Sequence, residues 1–274
     1  MSDLVSVLEF EEHAFKVLPR NALDYYRSGA GKQETLADNR KAFFSALSTA
    51  QALGIIYTLS TLSTSSIEEV AEAAPHAVKW YQLYIYRDRL ANFQGQTSEM
   101  SQDLEKGSGL NNYVTDLFDA TISWEDIKWL KSITRLPIVL KGILTAEDAL
   151  LAVQAGVSAV QVSNHGARQI DGTPASIEAL PEIVKAVGDK IEVYVDGGVT
   201  DGIDVLKAVA LGAKMTFIGR PALWGLAHSG QQGVEKVLNI LKNELKTAIG
   251  ISGYSKISDV PRDLVVHESY YAKL

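Results

Sequence analysis

Over the second half of the chain, short apolar runs alternate with amphipathic stretches. Leu136 to Lys141 is entered through Pro137 and stays apolar to its last residue, which predicts a buried strand. Ala146 to Gly156 has helical spacing and stops on glycine. Ala159 to Ser163 predicts the next strand, and Ile177 to Val187 a helix with Ile177, Leu180, Ile183, Val184 and Val187 on one face. Val193 to Val195 leads into Asp196-Gly197-Gly198, and a helix is expected from Val205 to Gly212. Met215 to Ile218 ends at Gly219-Arg220-Pro221, and a helix from Val234 to Ile249 closes the series. Four strand–helix units in a row, their strands read as apolar on both faces, predict a parallel sheet covered by helices. An open doubly wound sheet and a (β/α)8 barrel both satisfy this pattern, and both carry working groups at the carboxyl ends of strands.

The first half is less regular. Val5 to Leu18 predicts an amphipathic helix stopped by Pro19, and Ala22 to Tyr26 a second one. Ile55 to Ser60 and Trp80 to Tyr86 read as strands, with Ile67 to Ala74 a helix between them. Ala91 to Asn112 has no period, and Ser123 to Asp126 opens a helix in capping-box style, with Trp124 and Trp129 in its core. Six strands are counted, two fewer than a closed eight-stranded barrel needs. The organisation expected is one domain over 1–274, with an N-terminal helical segment at 1–44, an irregular loop at 91–122 and the best-preserved barrel half at 136–253.

Composition narrows the chemistry. With 46% hydrophobic and 22% charged residues among 274, the chain has an ordinary globular mix. A net charge of −7 disfavours a nucleic-acid backbone as partner. The absence of cysteine excludes disulfides, zinc–thiolate sites and a thiol nucleophile. No apolar run approaches the ~18 residues of a membrane span, and the N-terminus lacks the basic segment of a secretory signal. No H-E-x-x-H, G-x-S-x-G, P-loop or G-x-G-x-x-G pattern occurs, so zinc hydrolases, serine hydrolases, kinases and the dinucleotide-binding version of the doubly wound sheet are disfavoured, and no metal is expected.

The strand ends carry the candidates. His165, among Ser163, Asn164 and Gly166, is either a general base or a strand-end cap. Arg168, three residues on, either grips a substrate carboxylate or pairs with Asp171. Lys141 admits Schiff-base chemistry, charge stabilisation on a cofactor, or snorkelling to the rim. Gly197-Gly198 and Gly219-Arg220 are either a phosphate cradle or tight turns. Tyr25-Tyr26 and Tyr84-Tyr86 read as half-buried aromatics. Gln82 shares a strand face with Tyr84, and Ser60 ends its strand with one hydroxyl to offer. Ala272-Lys273-Leu274 is one conservative step from a peroxisomal address.

The run Ser163-Asn164-His165-Gly166-Ala167-Arg168-Gln169 resembles the signature of the FMN-dependent 2-hydroxy-acid oxidases, the glycolate oxidase group. Asp24 to Ala30, Gln82-Leu83-Tyr84, Leu136 to Gly142, Asp196 to Val199 and Gly219-Arg220-Pro221 resemble that family's blocks in that family's order. The resemblance implies a TIM (β/α)8 barrel that binds FMN and oxidises (S)-2-hydroxy acids to 2-oxo acids, passing electrons to O2 and releasing H2O2. It implies that His165 removes a proton, that Arg168 and Tyr25 hold the carboxylate, and that Tyr84 bonds the substrate oxygen. Lys141 is then expected beside the flavin, with Ser60, Gln82 and Ser163 on its ring. Asp196, Gly197, Gly198, Gly219 and Arg220 would hold its ribityl phosphate. A homo-oligomer is also implied, as is a peroxisomal location through an import receptor that reads Ala272-Lys273-Leu274.

The chain also departs from the family. Between Phe43 and Leu47 it lacks the segment with the first barrel strand, and between Arg89 and Asn92 the segment with the fourth. With the second go a flavin-contacting threonine, the aspartate that orients the histidine, and a second substrate arginine. Thr200 stands where the family has a phosphate-binding arginine. An incomplete barrel is therefore expected, and a non-catalytic remnant or assembly partner is the alternative reading.

Overall fold

The computed structural model describes residues 4–18, 49–61, 63, 65–84, 121–267 and 269. Two compact units divide the chain. The larger comprises 1–7, 123–219 and 238–274, and the second comprises 8–122 and 220–237.

In the larger unit the strand–helix alternation is continuous. The order is α3 (Trp124–Ile133), β3 (Val139–Ile143), α4 (Ala146–Ala155), β4 (Ala159–Val162), α5 (Ser176–Val187), β5 (Glu192–Asp196), α6 (Gly202–Ala210) and β6 (Met215–Phe217). The four strands pair in the order β3-β4-β5-β6, all parallel, as strands joined by crossover helices must. Local chemistry sets the helix limits. The Thr145 side chain caps the start of α4, and Gly156, at φ +73°, ends it. Leu180, Ile183 and Val187 of α5 are fully buried against Val160 and Val162 of β4 and Val193 and Val195 of β5, with Ile177 and Val184 at the margin. Ile138 and Leu140 join the same layer, so one face of this sheet is the helix-covered core.

The other face differs from expectation. The sequence pattern was taken as apolar on both faces, but β4 sends Gln161 away from the core while Val160 and Val162 enter it. In β5, Tyr194 and Asp196 likewise oppose Val193 and Val195. The strand expected to end at Lys141 begins later and runs on to Ile143. A bulge at Gly142, φ +97°, shifts its register against β4. Trp124 packs against the core as expected, whereas Trp129 is 49% exposed.

In the second unit, β1 (Tyr57–Leu59) pairs in parallel with β2 (Lys79–Tyr81), and α2 (Ile67–Ala73) connects them behind a Ser66–Glu69 capping box. Leu59, Val70 and Ala74 form the core of this piece. α1 (Val7–Val17) buries Phe10 and Ala14. α7 (Arg220–Ile251), which runs from this unit into the larger one, is two helices joined at a break at Ser229 and Gly230; the helix expected from Val234 to Ile249 lies in the second arm, and the first arm, from Arg220, was not expected. Its two arms meet at Gly225 and Gly233, where a Cβ on Gly233 would overlap the Gly225 carbonyl. The glycines that weaken the helical signal in the sequence are what allow this approach. The helix expected at 22–26 lies outside the described residues, as does most of the 91–122 loop. Among the described residues no helix is long and apolar enough to cross a membrane.

Candidate active site

The polar face of the larger sheet converges on one carboxylate. Ser163 Oγ donates a hydrogen bond to Oδ1 of Asp196, and Gln161 Nε2 donates to Oδ2. Lys141 Nζ lies 3.6 Å from the same Oδ2, so Asp196 is surrounded by two neutral donors and one cation. The ammonium also reaches His165 Nδ1 at 3.4 Å. An ammonium has no lone pair, so the imidazole accepts in this contact. Ser163 Oγ in turn accepts the backbone N–H of His165 at 3.0 Å, so a single hydroxyl ties the histidine's backbone to the carboxylate. Gln161 is 8% exposed, and a buried amide without a partner costs about 1–3 kcal/mol, so Asp196 is structurally necessary to it.

The segment that presents His165 is unusual in its backbone. His165, Gly166 and Ala167 have φ of 57°, 64° and 61°, three left-handed residues in succession. Each non-glycine residue there costs about 1–2 kcal/mol, which the surroundings must sustain. Asn164 supplies much of that support. Its Oδ1 and backbone carbonyl accept from Ala167 N–H at 3.2 and 3.1 Å, and its own N–H donates to Ser176 Oγ at 3.1 Å. Gly197, at φ +89°, fits closely under this support, and a Cβ on it would stand 3.0 Å from Ser176 Oγ and 3.1 Å from Asn164 Oδ1. Glycine is required there on both counts.

The turns after β5 and β6 differ in polarity. After β5, Asp204 Oδ2 accepts from Thr200 N–H at 3.0 Å, Thr200 Oγ1 at 3.2 Å and Asp201 N–H at 3.3 Å. Asp201 Oδ1 accepts from Asp204 N–H at 2.8 Å, and Glu244 Oε2 from Gly202 N–H at 2.9 Å. After β6, α7 starts with Gly219 as cap and Arg220 as first residue, with no side-chain cap and no acid in its first turn. That end suits an anion.

Of the residues expected from the sequence, the structure brings together Lys141, Ser163, His165 and Asp196, with Gly197 packed beneath. Gly198 follows at φ +86°, and Arg168 is exposed just beyond the left-handed turn. Gly219 lies two residues beyond Phe217, which pairs with Asp196. In the second unit, Gln82 N–H donates to the Leu59 carbonyl at 2.8 Å and Gln82 Nε2 lies 3.2 Å from the Tyr84 hydroxyl. Ser60 follows β1 there, and Arg220 opens α7. Tyr25 lies outside the described residues. Lys141 was expected at a strand end; instead it lies in mid-strand, exposed, with the bulge just behind it. Sequence reasoning missed Gln161 and Ser176. Gln161 had a signal, being a polar residue in an otherwise apolar strand.

A parallel α/β architecture with its polar cluster at the carboxyl ends of the strands defines an enzyme of the TIM-barrel type, here incomplete. The chain belongs to the FMN-dependent dehydrogenase family, which matches residues 44–95 and 90–267. Human 2-hydroxyacid oxidase 1 is 40% identical, with 96% of each chain covered. Glycolate oxidase 1 of rice (Oryza sativa subsp. indica) is 36% identical over 96% of this chain and 95% of its own. The crystal structure of mandelate oxidase superposes with a TM-score of 0.80 at 31% identity, covering 95% of this chain and 98% of that one. The alignment with the human relative runs over 356 positions yet takes in only 96% of 274 residues, so about 90 of its positions face no residue here. The two family matches meet at 90–95, where the sequence reading puts the second omission.

Proposed function

We propose that the chain oxidises (S)-2-hydroxy acids to 2-oxo acids, with bound FMN as electron acceptor and O2 as the terminal oxidant, reduced to H2O2. The observation that carries this reading is the Asp196-centred cluster, which sets a lysine ammonium beside a histidine at the carboxyl end of parallel strands. FMN, when bound, supplies a two-electron acceptor that dioxygen can reoxidise. The residues present fit such a group. Lys141 offers a cation where a reduced ring gathers negative charge, and the start of α7 with Arg220 offers amides and a guanidinium to a phosphate.

In this reading His165 takes the proton released as the α-carbon is oxidised, and Asp196 keeps Lys141 at its side. Arg168 and Tyr25 bind the substrate carboxylate, and Tyr84 the hydroxyl oxygen. Ser60, Gln82 and Ser163 contact the flavin ring. Asp196, Gly197, Gly198, Gly219 and Arg220 hold the ribityl phosphate. The same relationship supports a homo-oligomer, and a peroxisomal location addressed by Ala272-Lys273-Leu274. The test is a visible absorption spectrum. Purified protein should be yellow, and anaerobic glycolate or a longer 2-hydroxy acid should bleach it. Protein that stays colourless after reconstitution with FMN overturns the oxidase reading and leaves the assembly-partner one, favoured by the roughly 90 missing positions and checked by co-purification with full-length subunits.

A further inference from the structure

A glutamine inside an apolar strand is costly unless something there needs its amide. Gln161 is buried in mid-sheet, and its register partners are Lys141 on β3 and Tyr194 on β5. Tyr194 is engaged elsewhere, its hydroxyl donating to Glu192, and the Gln161 amide turns to Asp196 instead. An ionised carboxylate only accepts, so the –NH2 end is the one that faces it. The contact falls on Oδ2, the oxygen that Lys141 also approaches. With Gln161 Nε2 on Oδ2 and Ser163 Oγ on Oδ1, Lys141 Nζ stays 3.6 Å from Oδ2 and 3.4 Å from His165 Nδ1. An ammonium that bonds a carboxylate closes to about 2.7–2.9 Å. Here a neutral donor already holds that oxygen.

We infer that Gln161 is a positioning residue for Lys141: its amide occupies Asp196 Oδ2, keeps the ammonium from closing on the carboxylate, and leaves it shared with His165. That the shared cation serves a flavin rests on the oxidase reading above; its place beside His165 does not. An ammonium at 3.4 Å opposes a second positive charge on the imidazole, so protonation of His165 reports where the ammonium stands. Among the described residues of this unit, the neighbouring strands bring Lys141 and Asp196 to His165, and Arg168 and Asp171 follow on its own loop.

The test is an NMR titration of the His165 imidazole in the full-length chain, without flavin or substrate, its signal identified by its loss in His165→Asn. Gln161→Met keeps the length of the side chain and removes the donor. Lys141 should then close on Asp196, and the His165 midpoint should rise by on the order of half a pH unit. Lys141→Met should raise it at least as far. In the Lys141→Met background, Gln161→Met should move it no further, because the effect runs through the ammonium. A midpoint that Gln161→Met leaves unchanged, or an equal shift with and without Lys141, overturns the inference. Gln161→Asn, whose amide is one methylene shorter, should act in the same direction and carries the measurement where methionine is not tolerated. Protein that stays colourless with FMN overturns the oxidase reading and leaves the outcome of this titration intact.

Discussion

Replacing Gly197 with alanine perturbs the support of the His165 turn without touching any group that carries charge. Two costs can be separated. Alanine at φ +89° costs about 1–2 kcal/mol wherever it sits. The new Cβ would also lie 3.0 Å from Ser176 Oγ and 3.1 Å from Asn164 Oδ1, and those atoms hold Asn164 N–H and Ala167 N–H. Displacing them weakens two hydrogen bonds worth about 1 kcal/mol each, for a total near 2–4 kcal/mol. Gly253→Ala supplies the control, because Gly253 has φ +84° with nothing within 4 Å of its would-be Cβ. Urea unfolding followed by circular dichroism should give a loss of about 1–2 kcal/mol for Gly253→Ala and a distinctly larger one for Gly197→Ala. Ser176→Ala removes the nearer of the two atoms, so in a double-mutant cycle it should recover about 1 kcal/mol of the Gly197→Ala loss. Equal losses at Gly197 and Gly253, or strict additivity with Ser176→Ala, would refute the claim that close packing under the turn holds His165 in place.

Three other changes test separate parts of the molecule. Ser163→Ala strands both Asp196 Oδ1 and the His165 N–H, and should cost about 2 kcal/mol in the same unfolding assay; a loss below about 0.5 kcal/mol would mean that the hydroxyl links nothing. Ile183→Ala empties a fully buried position between α5 and the sheet and should cost about 2–5 kcal/mol, read as a lower thermal midpoint. In the second unit, burial holds the His228 imidazole below its ordinary value, with His13 and Lys236 adding to the effect. Its rings meet Phe10 and His13, at 5.0 and 4.5 Å, and its Nδ1 is buried without a hydrogen-bond partner. The unfolded chain therefore takes up the proton first. Stability should be full above the ordinary 6.5 and fall as the pH drops below it, and His228→Gln should flatten that slope.

Much of this was legible in the residues. Leu180, Ile183 and Val187 declared the buried face of α5 by spacing alone, and Gly156 its neighbour's end, because burial and capping are local rules. The cluster of Lys141, Ser163, His165 and Asp196 was legible as three neighbouring strands delivering polar groups to one side. What escaped depends on partners distant in sequence. Gln161 looked like an impurity in an apolar run until its partner, 35 residues away, was known. Had the alternation of Val160, Gln161, Val162 and Ser163 been weighed strictly, it would have revealed a two-faced strand. The first arm of α7 was hidden because Gly225 is a poor helix former, kept with Gly233 for a close approach that no propensity scale contains.

The bulge at Gly142 makes the lysine's direction a matter of counting. Along an unbroken strand, positions 141 and 143 share a side; here Ile143 joins the core while Lys141 faces Asp196. Parity changes at a single residue. Straightening the strand at Gly142 without changing its length would put ammonium and isoleucine on one side, although every residue with chemistry would still be present. The extra residue at the bulge is thus as much a determinant of this cluster as residue identity.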